Sequence, residues 1–234
     1  MLGLMLLFLI SVFSGVLVFL KKRAISKVTG QLLSFSGAYL LSICFLHLLP
    51  ELFEVHYERV GLFLLIGFFL QLVLDYFSGG IEHGHAHVNK KRLGKFPWLV
   101  FLSLCLHAFL EAIPLQQLVR ESSSSSYLLG LMIHKAPISF VLTALLIGYQ
   151  LKKEITLFSL IIFSLMGPLG ALFGSLVELT PAVFSQFLAL SVGIILHLST
   201  TILLETNEAH EIQWRKLLPM LLGIALALLS LGHS

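Results

Sequence analysis

The stretch Leu2–Leu20 contains no charged side chain, and apolar runs of similar length recur to the end of the chain. A helix of roughly 20 apolar residues, rising about 1.5 Å per residue, matches the hydrocarbon core of a bilayer. Composition points the same way. Hydrophobic residues make up 57% of the 234 residues and charged residues 12%, with a mean hydropathy of +0.97. A soluble globular domain is about 25% charged, and so few charges cannot cover a water-soluble protein of this size. The chain is therefore read as an all-α polytopic membrane protein with the lipid bilayer as its surroundings and no nucleic-acid partner.

The expected spans are 2–20, 30–50, 58–79, 96–119, 127–150, 155–177, 182–204 and 216–232, eight transmembrane helices forming a single domain over 1–234. Orientation follows from basic residues in the short loops. Loops after the first, third, fifth and seventh spans hold Lys21, Lys22, Arg23, Lys27, Lys90, Lys91, Arg92, Lys95, Lys152, Lys153, Arg215 and Lys216. Opposite them stand only Arg59 and Arg120. Twelve against two puts both termini outside the cytoplasm and the loop 80–95 inside it. Basic residues follow the first apolar run and do not precede it, so no cleavable signal peptide is expected.

Pro114, Pro137 and Pro168 fall inside spans, where each frees a backbone carbonyl that protein or a polar cavity must satisfy. Gly167, Gly170 and Gly174 offer a surface for close helix contact. Cys44 and Cys105 sit in apolar runs and read as packing residues, not a disulfide. Ser122–Ser126 reads as a short external loop.

Two short stretches carry the chemistry: His107-Ala-Phe-Leu-Glu111 and His134-Lys135-Ala-Pro137. Ionisable residues are costly in hydrocarbon and mark ion or substrate paths. His107 and Glu111 are four apart and share a helix face. An imidazole nitrogen and a carboxylate oxygen converging there suit zinc, ferrous iron or manganese. Glu111 lies roughly 4–5 Å outward of its span's midpoint and His134 roughly 6 Å outward of its own, reckoned from the helical rise. The third ligand is therefore within reach on the neighbouring span. A buried pair that only locks two helices is the competing reading, and Lys135, able to neutralise Glu111, favours it.

These residues resemble the ZIP (zinc- and iron-regulated transporter-like) family. The resemblance rests on Phe45-Leu-His47-Leu-Leu-Pro50-Glu51, on His107-Ala-Phe-Leu-Glu111-Ala, on His134-Lys-Ala-Pro137, and on Gly167-Pro-Leu-Gly-Ala-Leu-Phe-Gly174, together with a His-containing loop after the third span. It implies a 3+2+3 bundle in which the outer triplets form an inverted repeat around the fourth and fifth spans, with metal bound among the second, fourth, fifth and seventh. Such repeats are a known route to alternating access. The chain departs from the family pattern at Ala108, Lys135, Ile138, Ser139 and Gly167, where members with two adjacent metals carry further ligands or Asn. A single metal site is expected, with His107, Glu111 and His134 as ligands and the Lys135 ammonium substituting for the second cation.

Further candidates lie to either side. His47 and Glu51, near Glu54, His56 and Glu58, would concentrate cations at an external mouth. His83, His85 and His87 would catch metal on the cytoplasmic loop. His197 and Asp75 would line the way out or serve as satisfied polar groups.

The expected function is transport of a divalent transition metal, zinc first among them, into the cytoplasm across the plasma (inner) membrane. Metal is the substrate, and no tightly bound cofactor is expected. A homodimer is the oligomeric state kept open. The alternatives are a ZIP-like sensor or scaffold that binds without transporting, and an intramembrane zinc hydrolase. The hydrolase lacks a His-Glu-x-x-His pair and would need Glu111 as both ligand and base. No phosphate-binding Gly-x-x-x-x-Gly-Lys-Ser/Thr loop is present.

Overall fold

A computed structural model of the chain describes residues 2–20, 25–54, 59–83, 88–118, 124–177, 180–205 and 214–231. His56, Glu58, His85, His87 and Arg120 lie outside the described residues. The described residues are almost wholly helical: α1 (Leu2–Leu20), α2 (Ile25–Ile43), α3 (Leu49–Glu54), α4 (Val60–Ser78), α5 (Trp98–Leu110), α6 (Leu115–Leu118), α7 (Ser124–Gly148), α8 (Lys153–Leu176), α9 (Pro181–Glu205) and α10 (Trp214–Leu231). Six helical stretches are long and apolar enough to cross a membrane: Leu2–Leu20, Thr29–Glu54, Val60–Ser78, Ser126–Gly148, Lys153–Leu176 and Pro181–Leu204. Trp98–Leu110 and Lys216–Ser230 are shorter apolar helices. Leu62, Leu65, Phe69, Tyr76 and Phe158 are exposed. A chain with so many exposed apolar side chains needs lipid around it, and the protein is an integral membrane protein.

The bundle is pinned where glycines let backbones touch. A Cβ on Gly67 of α4 would stand 2.0 Å from the Leu190 carbonyl oxygen of α9, and one on Gly193 of α9 would stand 2.1 Å from that of Leu64 on α4. Only hydrogen fits at either position, so the two helices cross at backbone contact.

Three local departures from regular helix follow from the sequence. The stretch between α2 and α3 is a π turn, Cys44–Leu48, in which Leu49 N–H bonds back to Cys44 O. It ends two residues before Pro50, which has no N–H to continue the ladder. The stretch expected as one helix over 96–119 is interrupted. Pro114 cannot donate to Leu110 O, and Ala112 and Ile113 bond instead three residues back, at 3.2 and 3.3 Å. The serine run read as a loop partly starts a helix, since α7 begins at Ser124.

The segment after α4, expected as a cytoplasmic loop, begins with a buried turn. Ile81–His83 forms a 3-10 turn with all three residues buried. Gly79 and Gly80, both at positive φ, turn the chain back toward the bundle. The turn packs against α4, α7 and α9.

Candidate metal centre

The interruption at Pro114 frees the carbonyls of Leu110 and Glu111 from regular helical bonding, and each finds a donor on another helix. Ser191 Oγ on α9 donates to Leu110 O at 3.0 Å. The Tyr127 hydroxyl on α7 donates to Glu111 O. The helix α8 closes over the same turn: a Cβ on Gly170 would meet Phe109 O at 2.1 Å, and one on Gly174 would meet Ile113 O at 2.0 Å. The end of α5, which carries His107 and Glu111, is therefore clamped by three neighbours.

The last regular helical bond there, Glu111 N–H to His107 O at 3.1 Å, keeps the two side chains on one face. Their Nε2 and Oε2 atoms lie 3.2 Å apart. The His134 ring on α7 meets the His107 ring edge to face, with centroids 6.0 Å apart. His107, Glu111 and His134 each offer a ligand atom within 4.8 Å of the others, and all three residues are fully buried. Among the described residues no other group of His, Cys, Asp and Glu converges this way. Neither His134 ring nitrogen has a hydrogen-bond partner among the described residues. Buried imidazole nitrogens are seldom left so, and a bound cation is one partner that accounts for them.

Lys135, the residue after His134, places its ammonium on Glu111 Oε1. The same ammonium lies 5.2 Å from the centroid of the Phe163 ring. Glu111 thus divides its oxygens, Oε1 to Lys135 and Oε2 toward His107, which leaves one oxygen for a metal.

Two residues that sequence reasoning did not single out complete the surroundings. Gln71 of α4 is fully buried, and its Oε1 stands 3.0 Å from His107 Nδ1. Its Nε2 donates to Glu82 Oε2 on the buried 3-10 turn. The available signal was Gln71 itself, a polar side chain in the otherwise apolar run Val60–Leu74. Glu82 gave none, because a Glu beside alternating His and Gly reads as solvated loop. Burial raises the Glu82 carboxyl above its ordinary range.

The outlying candidates are placed as follows. His83 Nε2 pairs with Asp75 Oδ2 at 2.9 Å, so this first histidine of the loop is held in the bundle. His197 is buried on α9 with its ring against Phe68, centroids 5.0 Å apart. His47 lies in the π turn, and Glu51 follows in α3. None of these four joins the cluster of His107, Glu111 and His134.

An all-helical integral membrane protein with imidazoles and a carboxylate gathered in its interior belongs to the class that handles transition-metal ions. The family model for the ZIP zinc transporter matches residues 82–231, and the chain belongs to that family. No curated protein matches the chain at a significant level. Membership makes this a divalent-metal transport protein of the membrane, in a family of transporters and not of enzymes.

Proposed function

We propose that this protein carries a divalent transition metal, zinc foremost, into the cytoplasm through one intramembrane site made by His107, Glu111 and His134. The observation that carries this reading is the convergence of those three fully buried groups within 4.8 Å, with two ring nitrogens of His134 unpartnered among the described residues. Two imidazoles and one carboxylate favour zinc, iron or manganese over magnesium and calcium, which prefer all-oxygen shells. Lys135 stands in for the second cation of two-metal members, keeping a tethered positive charge on Glu111.

Eight crossings with both termini outside fit this role, α5 with α6 and α10 completing the six longer spans. The pairing of helices supports the 3+2+3 inverted repeat. Exchanging the first three spans with the last three turns the contact of α4 with α9 into that of α10 with α2, and both contacts are present. The site then lies on α5 and α7, between the repeats, where alternating access would expose it to each side in turn. The plasma (inner) membrane is the proposed location.

A sensor or scaffold that binds without transporting is the second reading, favoured by the Lys135–Glu111 ion pair, which would serve a locked state. Zinc uptake into proteoliposomes holding a zinc-sensitive dye separates the two. Saturable uptake that His107→Ala abolishes supports transport through this site. Zinc binding by the folded protein with no uptake of zinc, iron or manganese would favour the sensor.

A further inference from the structure

Gln71 is bonded at both ends of its amide, and the two ends are not interchangeable. Its Nε2 can only donate, and Glu82 Oε2 accepts from it. Its Oε1 can only accept, so the His107 Nδ1 at 3.0 Å carries the proton. A neutral imidazole with its proton on Nδ1 has a bare lone pair on Nε2. That lone pair faces Glu111 Oε2 across 3.2 Å. Two acceptors at that distance repel unless a proton or a metal ion lies between them. A metal takes that place by displacing the proton, and ligand atoms on a tetrahedral zinc stand about 3.3 Å apart. In the other neutral tautomer His107 would donate from Nε2 to Glu111, shutting the metal out and leaving Gln71 Oε1 without a donor.

We infer that Gln71 and Glu82 are positioning residues that hold His107 in its metal-ligating tautomer, so that a residue of the buried turn after α4 sets the strength of a ligand on α5. This rests on the reading of His107, Glu111 and His134 as the metal site. Gln71 orients the ring, and Glu82 orients Gln71. The chain Glu82–Gln71–His107 thus joins three separate elements, the turn Ile81–His83, α4 and α5, and every member is fully buried or nearly so. Outer hydrogen-bond partners of ligating histidines change metal affinity by about 10–100-fold when removed.

The test is equilibrium zinc binding by the purified full-length protein, with thermal unfolding measured on each variant. Gln71→Met, close in size but unable to accept, is expected to weaken zinc binding at least tenfold while unfolding within a few degrees of wild type. Glu82→Leu is expected to weaken it in the same direction. Glu82→Gln, which keeps an oxygen to accept from Gln71, should recover most of that loss. The double variant Gln71→Met/Glu82→Leu should bind no more weakly than Gln71→Met alone, because both act through one ring. Folded Gln71→Met protein binding zinc within twofold of wild type would overturn the inference. So would Glu82→Gln behaving as Glu82→Leu, or single losses that multiply in the double variant. Should Gln71→Met fail to fold, the contrast of Glu82→Gln with Glu82→Leu decides alone. A wild type that binds no zinc is a different failure, since it removes the metal-site reading beneath this one.

Discussion

Lys135 reaches Glu111 alongside Gly167, where a Cβ would stand 3.8 Å from the lysine's Cε. The small residue on α8 and the long cation on α7 therefore share one space. A longer side chain at 167 would have to displace the lysine. In this protein the space beside the proposed metal site is filled by a covalently attached charge that cannot leave with a transported ion.

Removing that charge should make zinc harder to release. A unit charge about 5 Å from the ion, at an effective dielectric of about 20, opposes a bound cation by at most about 3 kcal/mol per unit of ionic charge. Lys135→Met is accordingly expected to bind zinc ten- to a hundredfold more tightly, since about 1.4 kcal/mol is tenfold, and to turn over more slowly. Equilibrium dialysis and uptake rates measure the two effects. Unchanged or weaker binding, with an unchanged rate and pH profile, would remove Lys135 from the account.

The clamp on the broken helix should be sensitive to one methyl group. Gly174→Ala places a Cβ about 2 Å from Ile113 O, a contact with backbone that neither helix can relieve by a rotamer change. Overpacking of this kind costs roughly 1–3 kcal/mol. The expected result is a lower unfolding temperature and impaired uptake. Gly30→Ala, with nothing within 4 Å of the new atom, is the control and should be silent. Equal behaviour of the two variants would contradict the close packing of α8 on the turn Glu111–Pro114.

Tyr127→Phe should destabilise while leaving the side chains of the proposed ligands unchanged. It leaves Glu111 O buried and without the hydroxyl that donates to it, a loss of about 1–3 kcal/mol. Ser191→Ala removes one of the two donors to Leu110 O, which keeps Ile113 N–H, so its effect should be smaller. Both are expected to lower the unfolding temperature. Because Tyr127 also fixes the backbone of Glu111, its loss should reduce zinc affinity as well. A Tyr127→Phe variant with wild-type stability would show that this carbonyl finds another donor.

Selectivity follows from the ligand set. Iron(II) and manganese(II) should compete with zinc uptake at comparable concentrations, while excess magnesium or calcium should not, because imidazole is a poor partner for those harder ions. Competition by calcium at equal concentration would point to an all-oxygen site elsewhere in the bundle.

The sequence made the helical membrane bundle legible because hydrocarbon thickness fixes the length of an apolar run. It also pointed to His107, Glu111 and His134 together, because helical spacing and depth from the span midpoint are both countable. The break in the helix after Leu110 was legible only as a freed carbonyl. Which donors would catch it, Ser191 and Tyr127, depends on how α7 and α9 pack. The burial of Glu82 and His83 was not legible for a related reason. Local composition describes a loop, yet two positive-φ glycines turn this one inward, and its burial is decided by α4, α7 and α9. Gln71 had the same signal as the histidines, a polar group in an apolar span, but it lacked a metal-ligating side chain to mark it.

The central claim is that one metal sits on two imidazoles and one carboxylate inside the bundle. X-ray absorption at the zinc edge of the zinc-loaded protein tests it most directly. One zinc per chain is expected, with two imidazole ligands and nitrogen or oxygen donors at about 2.0–2.1 Å. Loss of one imidazole is expected in His134→Ala. Two zinc ions per chain, an all-oxygen shell, or an imidazole signal unchanged by His134→Ala would contradict it.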